Sequence, residues 1–357
     1  MYPRIVTDLN KLKHNIERIA ALCHGAGCTC AIVTKCVCAH ARIAELIEGC
    51  AVDFIADSRM KNLASLQTAK PRYLLRVAQP SEVREVIAHC EVSQQSERST
   101  IRLLGAEAKR QMRRHKVVLM IDMGDLREGV FFENRSDILA LAQAVAGEDM
   151  LDLYGVGVNL TCFGGIVPDE ENLGGLAALA EWLRGESGLA IPFVSGGNSS
   201  SLPMLLNKTL PRGISNLRIG EGYLLGNETV NGTLMEGFYP DCFTFEAELI
   251  EVKEKPSKPV GTGGLNAFGE RVTFEDQGAM LRGILAAGRQ DVVPDGIAPR
   301  DADTSILGAS SDHLLVDLTR ARGRYEVGSV LSFTPDYGAL LRAFTSPYVD
   351  KSYNYEL

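Results

Sequence analysis

Short apolar runs recur along the first 225 residues, and stretches with apolar residues at helical spacing separate them. Strand-like runs are predicted at 30–35, 52–56, 72–77, 91–95, 116–122, 153–159, 191–195 and 217–220. Amphipathic helices are predicted between them, at 41–49, 61–68, 82–89, 106–115, 136–146 and 169–184. Strands alternating with helices imply a parallel sheet, and eight such units predict a closed (β/α)8 barrel of the TIM type. The alternative is an open doubly wound sheet, but no Gly-x-Gly-x-x-Gly opens the first helix. After about residue 235 the pattern changes. Runs at 243–252, 280–287, 314–319 and 330–333 are split by Gly, Pro and Asp, with no long helical pattern between them. This predicts a C-terminal β-rich domain, to which a strand-like stretch at 4–8 could be added. The expected division is a barrel at 10–230 and a β-rich domain formed by 1–9 plus 235–357.

Composition adjusts this picture little. The chain has 357 residues, enough for one large domain and a smaller one. Hydrophobic residues make up 45% and charged residues 23%, as in soluble globular proteins. A net charge of −8 argues against nucleic acid or an anionic membrane as partner. No apolar stretch approaches the ~20 residues of a membrane span. The N-terminus lacks the basic start and apolar core of a signal peptide, so a cytoplasmic location is expected. There are nine cysteines, five of them crowded at Cys23, Cys28, Cys30, Cys36 and Cys38. Their Cys-x-Cys spacings are tighter than those of a zinc knuckle, so buried thiols are expected rather than a metal site.

Chemistry enters at the ends of the predicted strands, where barrels of this kind gather their functional groups. The first strand ends in Lys35. A lysine closing a buried strand is costly to desolvate, and a desolvated lysine becomes a nucleophile able to form a Schiff base. The seventh ends in Ser195-Gly196-Gly197-Asn198-Ser199, a Gly/Ser loop suited to an anion because its backbone can approach a ligand closely. A helix starting near Ser201 would add its dipole. One cofactor carries both an aldehyde for the lysine and a phosphate for the loop: pyridoxal 5′-phosphate. Arg218, leaving the eighth strand before Gly220 and Glu221, could meet its pyridine nitrogen. Arg127, after the fifth strand, could meet its phenolate or a substrate carboxylate.

These stretches resemble the fold-type III pyridoxal-phosphate enzymes, the alanine racemase family, and within it the ornithine racemase branch. The resemblance rests on Val33-Thr34-Lys35, Ala56-Asp57-Ser58-Arg59, Asp122-Met123-Gly124 through Arg127, Asn159 through Gly165, Ser195 through Ser199, Arg218-Ile219-Gly220-Glu221 and Gly288-Arg289-Gln290-Asp291. Leu307 through His313 and Thr345-Ser346-Pro347-Tyr348 extend it over nearly the whole chain. It implies a head-to-tail homodimer whose β-rich domains complete each other's active sites. Departures from alanine racemase are also visible. The place of its ring-stacking histidine is taken by Cys162. Its second-base tyrosine is replaced by Phe268, and a phosphate-contacting tyrosine by Ala39.

The implied function is racemisation of a basic amino acid, ornithine above others, with lysine, alanine or a broader range as alternatives. Lys35 would take the Cα proton from one face. Cys162 is the first choice to serve the other face, followed by Asp312 or His313 of the partner subunit. An arginine on the pyridine nitrogen weakens the ring as an electron sink and disfavours decarboxylation; Glu221 is the challenger for that position. A substrate side-chain ammonium would need Glu128, Asp312 or Asp336. The rivals are a basic amino-acid decarboxylase of the same fold, a non-enzymatic cofactor-homeostasis protein, and a metal-dependent aldolase or dehydratase. The last needs a His-x-Cys-Asp motif that this sequence lacks.

Overall fold

The alternation of apolar strands and amphipathic helices closes on itself. In the computed structural model, which describes residues 1–354, the chain divides into Asn10–Pro240 and a second unit of Met1–Leu9 with Asp241–Leu357. The first strand, β1 (Arg4–Asp8), belongs to the second unit. Helix α1 (Leu9–Gly25) leads into the barrel.

The barrel strands are β2 (Thr29–Val33), β3 (Phe54–Asp57), β4 (Arg72–Leu74), β5 (Val92–Gln95) and β6 (His115–Asp122). After a two-residue strand, β7 (Val130–Phe131), that flanks β6, they continue with β8 (Leu151–Gly157), β9 (Phe193–Ser195) and β10 (Asn216–Ile219). All pair in parallel. β2 bonds to β3 on one side and β10 on the other, and β5 bonds to β6, which closes the ring. The predicted (β/α)8 barrel is therefore present, with all eight predicted strands in place. Helices α2 (Ala41–Glu48), α3 (Met60–Ser65), α4 (Val83–His89), α5 (Arg98–Gln111), α6 (Arg135–Ala146), α7 (Glu170–Ser187), α8 (Leu202–Leu206) and α9 (Glu221–Leu225) follow the strands. The start of α7 shows local sequence acting on structure. Asp169 accepts from Asn172 N at 2.8 Å, and Asn172 Oδ1 accepts from Asp169 N at 3.0 Å, so two otherwise unpaired end groups satisfy each other.

The barrel interior is packed, not hollow. Phe54, Tyr73 and Phe193 meet edge to face at 6.1, 5.9 and 6.1 Å, and Tyr154 stacks on Phe193 at 4.6 Å. These rings fill the inner layer toward the strand starts. Ser195 and Arg218 lie further along β9 and β10, toward the strand ends. Asn15 fastens the two ends of the barrel segment. Fully buried on α1, it donates to Tyr223 O at 3.1 Å and Tyr239 O at 2.9 Å, and accepts from Tyr239 N at 2.9 Å.

The second unit is built on β11 (Phe243–Pro256), β12 (Ala279–Leu285), β13 (Ile297–Pro299), β14 (Ser305–Ala309), β15 (Leu314–Asp317), β16 (Val330–Pro335) and β17 (Asp350–Asn354). Its central order is β13-β16-β11-β12-β15-β14, all antiparallel. β1 pairs antiparallel with β11, Arg4 opposite Glu246, and parallel with β17. The unit is β-rich, as expected, but it also carries a helix, α10 (Tyr337–Thr345). All nine cysteines are free thiols; only Cys162 is exposed. Among the described residues no group of three or more His, Cys, Asp or Glu is placed to hold a metal. Nor, among the described residues, is any helix long and apolar enough to cross a membrane.

Candidate active site

Lys35 sits one step beyond its predicted strand. β2 stops at Val33, and Lys35 opens a 3-10 turn over Lys35–Val37. Its side chain is exposed in this chain, so the expected burial is corrected: the turn lifts the amine off the strand. The turn itself is held firmly. Thr34 N donates to Ala56 O at 2.9 Å, and Thr34 Oγ1 donates to Asp57 Oδ2 at 2.8 Å. Asp57 is buried and also accepts from Arg59 N and Asn62 Nδ2. Burial raises its carboxyl above the ordinary range, against the pull of these bonds. The Tyr223 hydroxyl closes the end of β2 by donating to Val33 O at 3.1 Å.

Arg218 is almost wholly buried, at 2% exposure. β10 pairs directly with β2, placing Arg218 opposite Ala31. Its guanidinium donates to Ser195 Oγ, to Val158 O at 2.6 Å and to Asn159 Oδ1 at 2.6 Å. Burial pushes its pKa below the ordinary guanidinium value, while Tyr73 and Glu128 act in the other direction. These bonds go to neutral acceptors. Ser195 donates onward to Asn216 Oδ1 at 2.5 Å.

Arg127 stands at the loop after β6 and is exposed. Asp122 Oδ1 shapes this loop by accepting from Gly124 N at 2.9 Å and Leu126 N at 3.1 Å. Arg127 forks onto its neighbour Glu128, with Nη2 2.6 Å from Oε1. Burial is the largest single influence on its pKa and lowers it, but the hydrogen bond and charge of Glu128, with Cys162 and Asp125, together raise it more, and the net shift is upward. Glu128 also accepts from Asn159 Nδ2. It is therefore engaged by two partners, Arg127 and Asn159.

The loop after β9 is tightly pinned. Asn198 Oδ1 accepts from Ser200 N at 2.8 Å, and Ser201 Oγ donates to Gly196 O at 2.7 Å. Ser199 Oγ accepts from Gly220 N at 3.2 Å and Gly222 N at 3.1 Å, joining the loop to the start of α9. Gly197 has φ +102°, and a Cβ there would come within 2.9 Å of Ser201 Oγ. The helix expected near Ser201 is a 3-10 turn running into the five-residue α8. Ser200 Oγ is buried and finds no hydrogen-bond partner among the described residues. Glu221, the challenger to Arg218, is the first residue of α9, and Asn227 Nδ2 lies 3.3 Å from its carboxylate.

Cys162 lies beyond the end of β8 in an exposed loop, where its sulfur accepts from Asn198 Nδ2 at 3.3 Å. The residue of this loop that touches Arg218 is Asn159, not Cys162. The loop hangs from buried Asp125, whose carboxylate accepts from Phe163 N and Ile166 N. Asn159, Asp57, Asp125 and Tyr223 were all missed as supporting residues. Most of their bonds join residues distant in sequence, although Asp57 also accepts from Arg59 N and Asn62 Nδ2, two and five residues on, and the Asp122 turn is local as well.

A model of the alanine racemase N-terminal domain matches residues 7–222. The chain belongs to the alanine racemase family. Two relatives are similar over their whole length. An ornithine racemase of Acetoanaerobium sticklandii is 42% identical over 98% of this chain and 99% of its own. A lysine racemase of Thermotoga maritima is 36% identical over 99% of both chains. Among solved structures, alanine racemase from Streptomyces coelicolor A3(2) superposes with a TM-score of 0.78 at 17% identity, covering 99% of this chain and 98% of that one. A D-threo-3-hydroxyaspartate dehydratase from Delftia sp. HT23 gives 0.70 at 16% identity, covering 97% and 92%. These two comparisons concern the fold alone.

The cofactor of the alanine racemase family is pyridoxal 5′-phosphate, and the residues present fit it. An orphaned buried hydroxyl, Ser200 Oγ, lies in the Gly/Ser loop where a phosphate would supply the missing partner. The amine of Lys35 follows the end of β2, and the buried cation of Arg218 stands on β10, the strand paired with β2.

The remaining expected residues lie in the second unit. Asp312 accepts from Gln290 Nε2 at 2.7 Å and from Ser311 Oγ at 2.7 Å; His313 Nδ1 lies 3.4 Å from Ser310 Oγ. Both are exposed. Asp336, expected to meet a substrate ammonium, is the N-cap of α10, its Oδ1 accepting from Ala339 N at 2.8 Å.

Proposed function

We propose that the protein racemises a basic amino acid, with ornithine as the favoured substrate and pyridoxal 5′-phosphate as cofactor. The observation that carries this reading is the pair on adjacent strands: an amine presented just past β2, and beside it on β10 a buried arginine bonded only to neutral acceptors. The 42% identity to an ornithine racemase over nearly the whole chain supports the choice of substrate.

When bound, the cofactor supplies an aldehyde that condenses with amines and a ring that draws electrons from the substrate Cα–H bond. Lys35 would hold the aldehyde. Gly196, Gly197, Asn198, Ser199 and Ser200 would cradle the phosphate, with Gly220 beside them. Arg218 would face the ring nitrogen as a fixed donor, a setting that suits proton exchange over decarboxylation. Arg127 would bind the phenolate or the substrate carboxylate through its planar fork. The Lys35 amine would move a proton at Cα on one face. The opposite face needs a second acid, and Cys162 is the first choice because its thiol stands exposed beside Asn198. Asp312 and His313 of the partner subunit follow, within a head-to-tail homodimer located in the cytoplasm.

The test is incubation of the protein and cofactor with L-ornithine, L-lysine and L-alanine in deuterium oxide. Formation of the D-enantiomer with deuterium at Cα, fastest for ornithine, is the expected result. Release of carbon dioxide would mean a decarboxylase, and absence of both a binding protein. Sedimentation of the holoenzyme checks the dimer.

A further inference from the structure

The two arginines of the site are joined through one carboxylate. Glu128 receives both forks of Arg127 and the amide of Asn159, and Asn159 Oδ1 in turn receives Arg218. The connection spans the loop after β6 and the ends of β8 and β10. It fixes which way the Asn159 amide faces: nitrogen to the carboxylate, oxygen to the guanidinium. Glu128 is only 19% exposed, so its charge is poorly screened. Among the described residues Arg218 touches no carboxylate directly, and Glu128 reaches it through Asn159.

We infer that Glu128 is a positioning residue for the proposed racemase, clamping Arg127 directly and orienting Arg218 through Asn159. The inference rests on the proposed function for its consequence in turnover, but the geometry holds without it. A carboxylate that served instead as the receptor for the substrate's side-chain ammonium would have to leave Arg127. The two roles therefore predict different things. A clamp acts on every substrate and on the cofactor before any substrate arrives. An ammonium receptor acts only on substrates that carry one.

The experiment compares E128Q, E128D, N159L and the double variant E128Q/N159L as holoenzymes. E128Q should lower kcat about tenfold or more for ornithine and alanine alike, a loss of transition-state contacts. It should also move the visible absorption maximum of the substrate-free cofactor. E128D should restore part of both. The double variant should lose less than the product of the two single losses, because both act through one connection. A crystal structure of cofactor-free E128Q should show Arg127 released. The inference is overturned if E128Q raises KM for ornithine alone with kcat and spectrum unchanged, or if the single losses multiply. Should E128Q fail to fold by circular dichroism, N159L decides, since an unmoved absorption maximum there breaks the connection to Arg218. Absence of racemisation by the unsubstituted protein would instead refute the functional reading. The Arg127 displacement would then still decide the clamp.

Discussion

Asn159 Oδ1 lies 2.6 Å from the guanidinium of Arg218, further along the barrel than the layer packed by Phe54, Tyr73 and Phe193. The planar fork of Arg218 reaches Ser195, Val158 and Asn159 at once. Lysine is a point charge and reaches fewer acceptors. Arg218→Lys should therefore retain the fold by circular dichroism yet reduce Cα deuterium exchange by about 100-fold, about 2.7 kcal/mol of lost transition-state stabilisation.

Lys35→Ala should abolish the visible band of the bound cofactor and all Cα exchange. Because the side chain is exposed, the cofactor-free variant should match the parent in urea unfolding to within about 0.5 kcal/mol. Retained turnover would exclude Lys35 as the reacting amine.

Ser200→Ala separates phosphate binding from folding. The hydroxyl has no described partner to lose, so cofactor-free stability should hold or rise slightly. Cofactor affinity should fall about tenfold, roughly 1.4 kcal/mol, by absorbance titration. An unchanged affinity would remove Ser200 from the phosphate site.

Gly129 closes the loop that presents Arg127 and Glu128. Its φ is +125°, and a Cβ would come within 2.6 Å of Asp122 N and 2.8 Å of Ile121 C, both backbone atoms. Gly129→Ala should cost about 2 kcal/mol or more in thermal unfolding.

His115 sets an acid limit on stability. It is buried, with Nε2 2.7 Å from Ser93 Oγ and Nδ1 3.2 Å from Cys90 O. Burial pushes its pKa down to about 4, from an ordinary 6.5. Between those values the unfolded chain takes up a proton that the native chain refuses. Stability should thus be intact above pH 6.5 and fall toward pH 4, by up to about 3 kcal/mol. Denaturant unfolding across this range measures the slope, and His115→Asn should flatten that component.

Much of the barrel was legible because strands covered on both faces read as continuous apolar runs. Strand ends were harder. The prediction carried the first strand through Lys35, whereas the Thr34 bond to Asp57, 23 residues away, ends it earlier. The polar connection across the site was invisible for the same reason: its bonds span 31 and 59 residues. Asp336 carries a signal that is local instead. An aspartate before apolar residues at 339, 340, 343 and 344 is a helix-start signal, and α10 is the helix that the strand-only reading of this region lacks.

The pair of hydrogen bonds between Asn15 and Tyr239 has a consequence for assembly. β1 precedes the barrel segment in the chain, but its partner β11 begins at Phe243, after the whole of that segment. Once the barrel closes, that clasp brings the two chain crossings together, and Asp8 N reaches Cys242 O at 2.9 Å. Closure entropy that would otherwise grow with the length of the intervening segment falls to that of a short tether. A strand made before the barrel thus docks only after it, and the finished barrel is what delivers its mate.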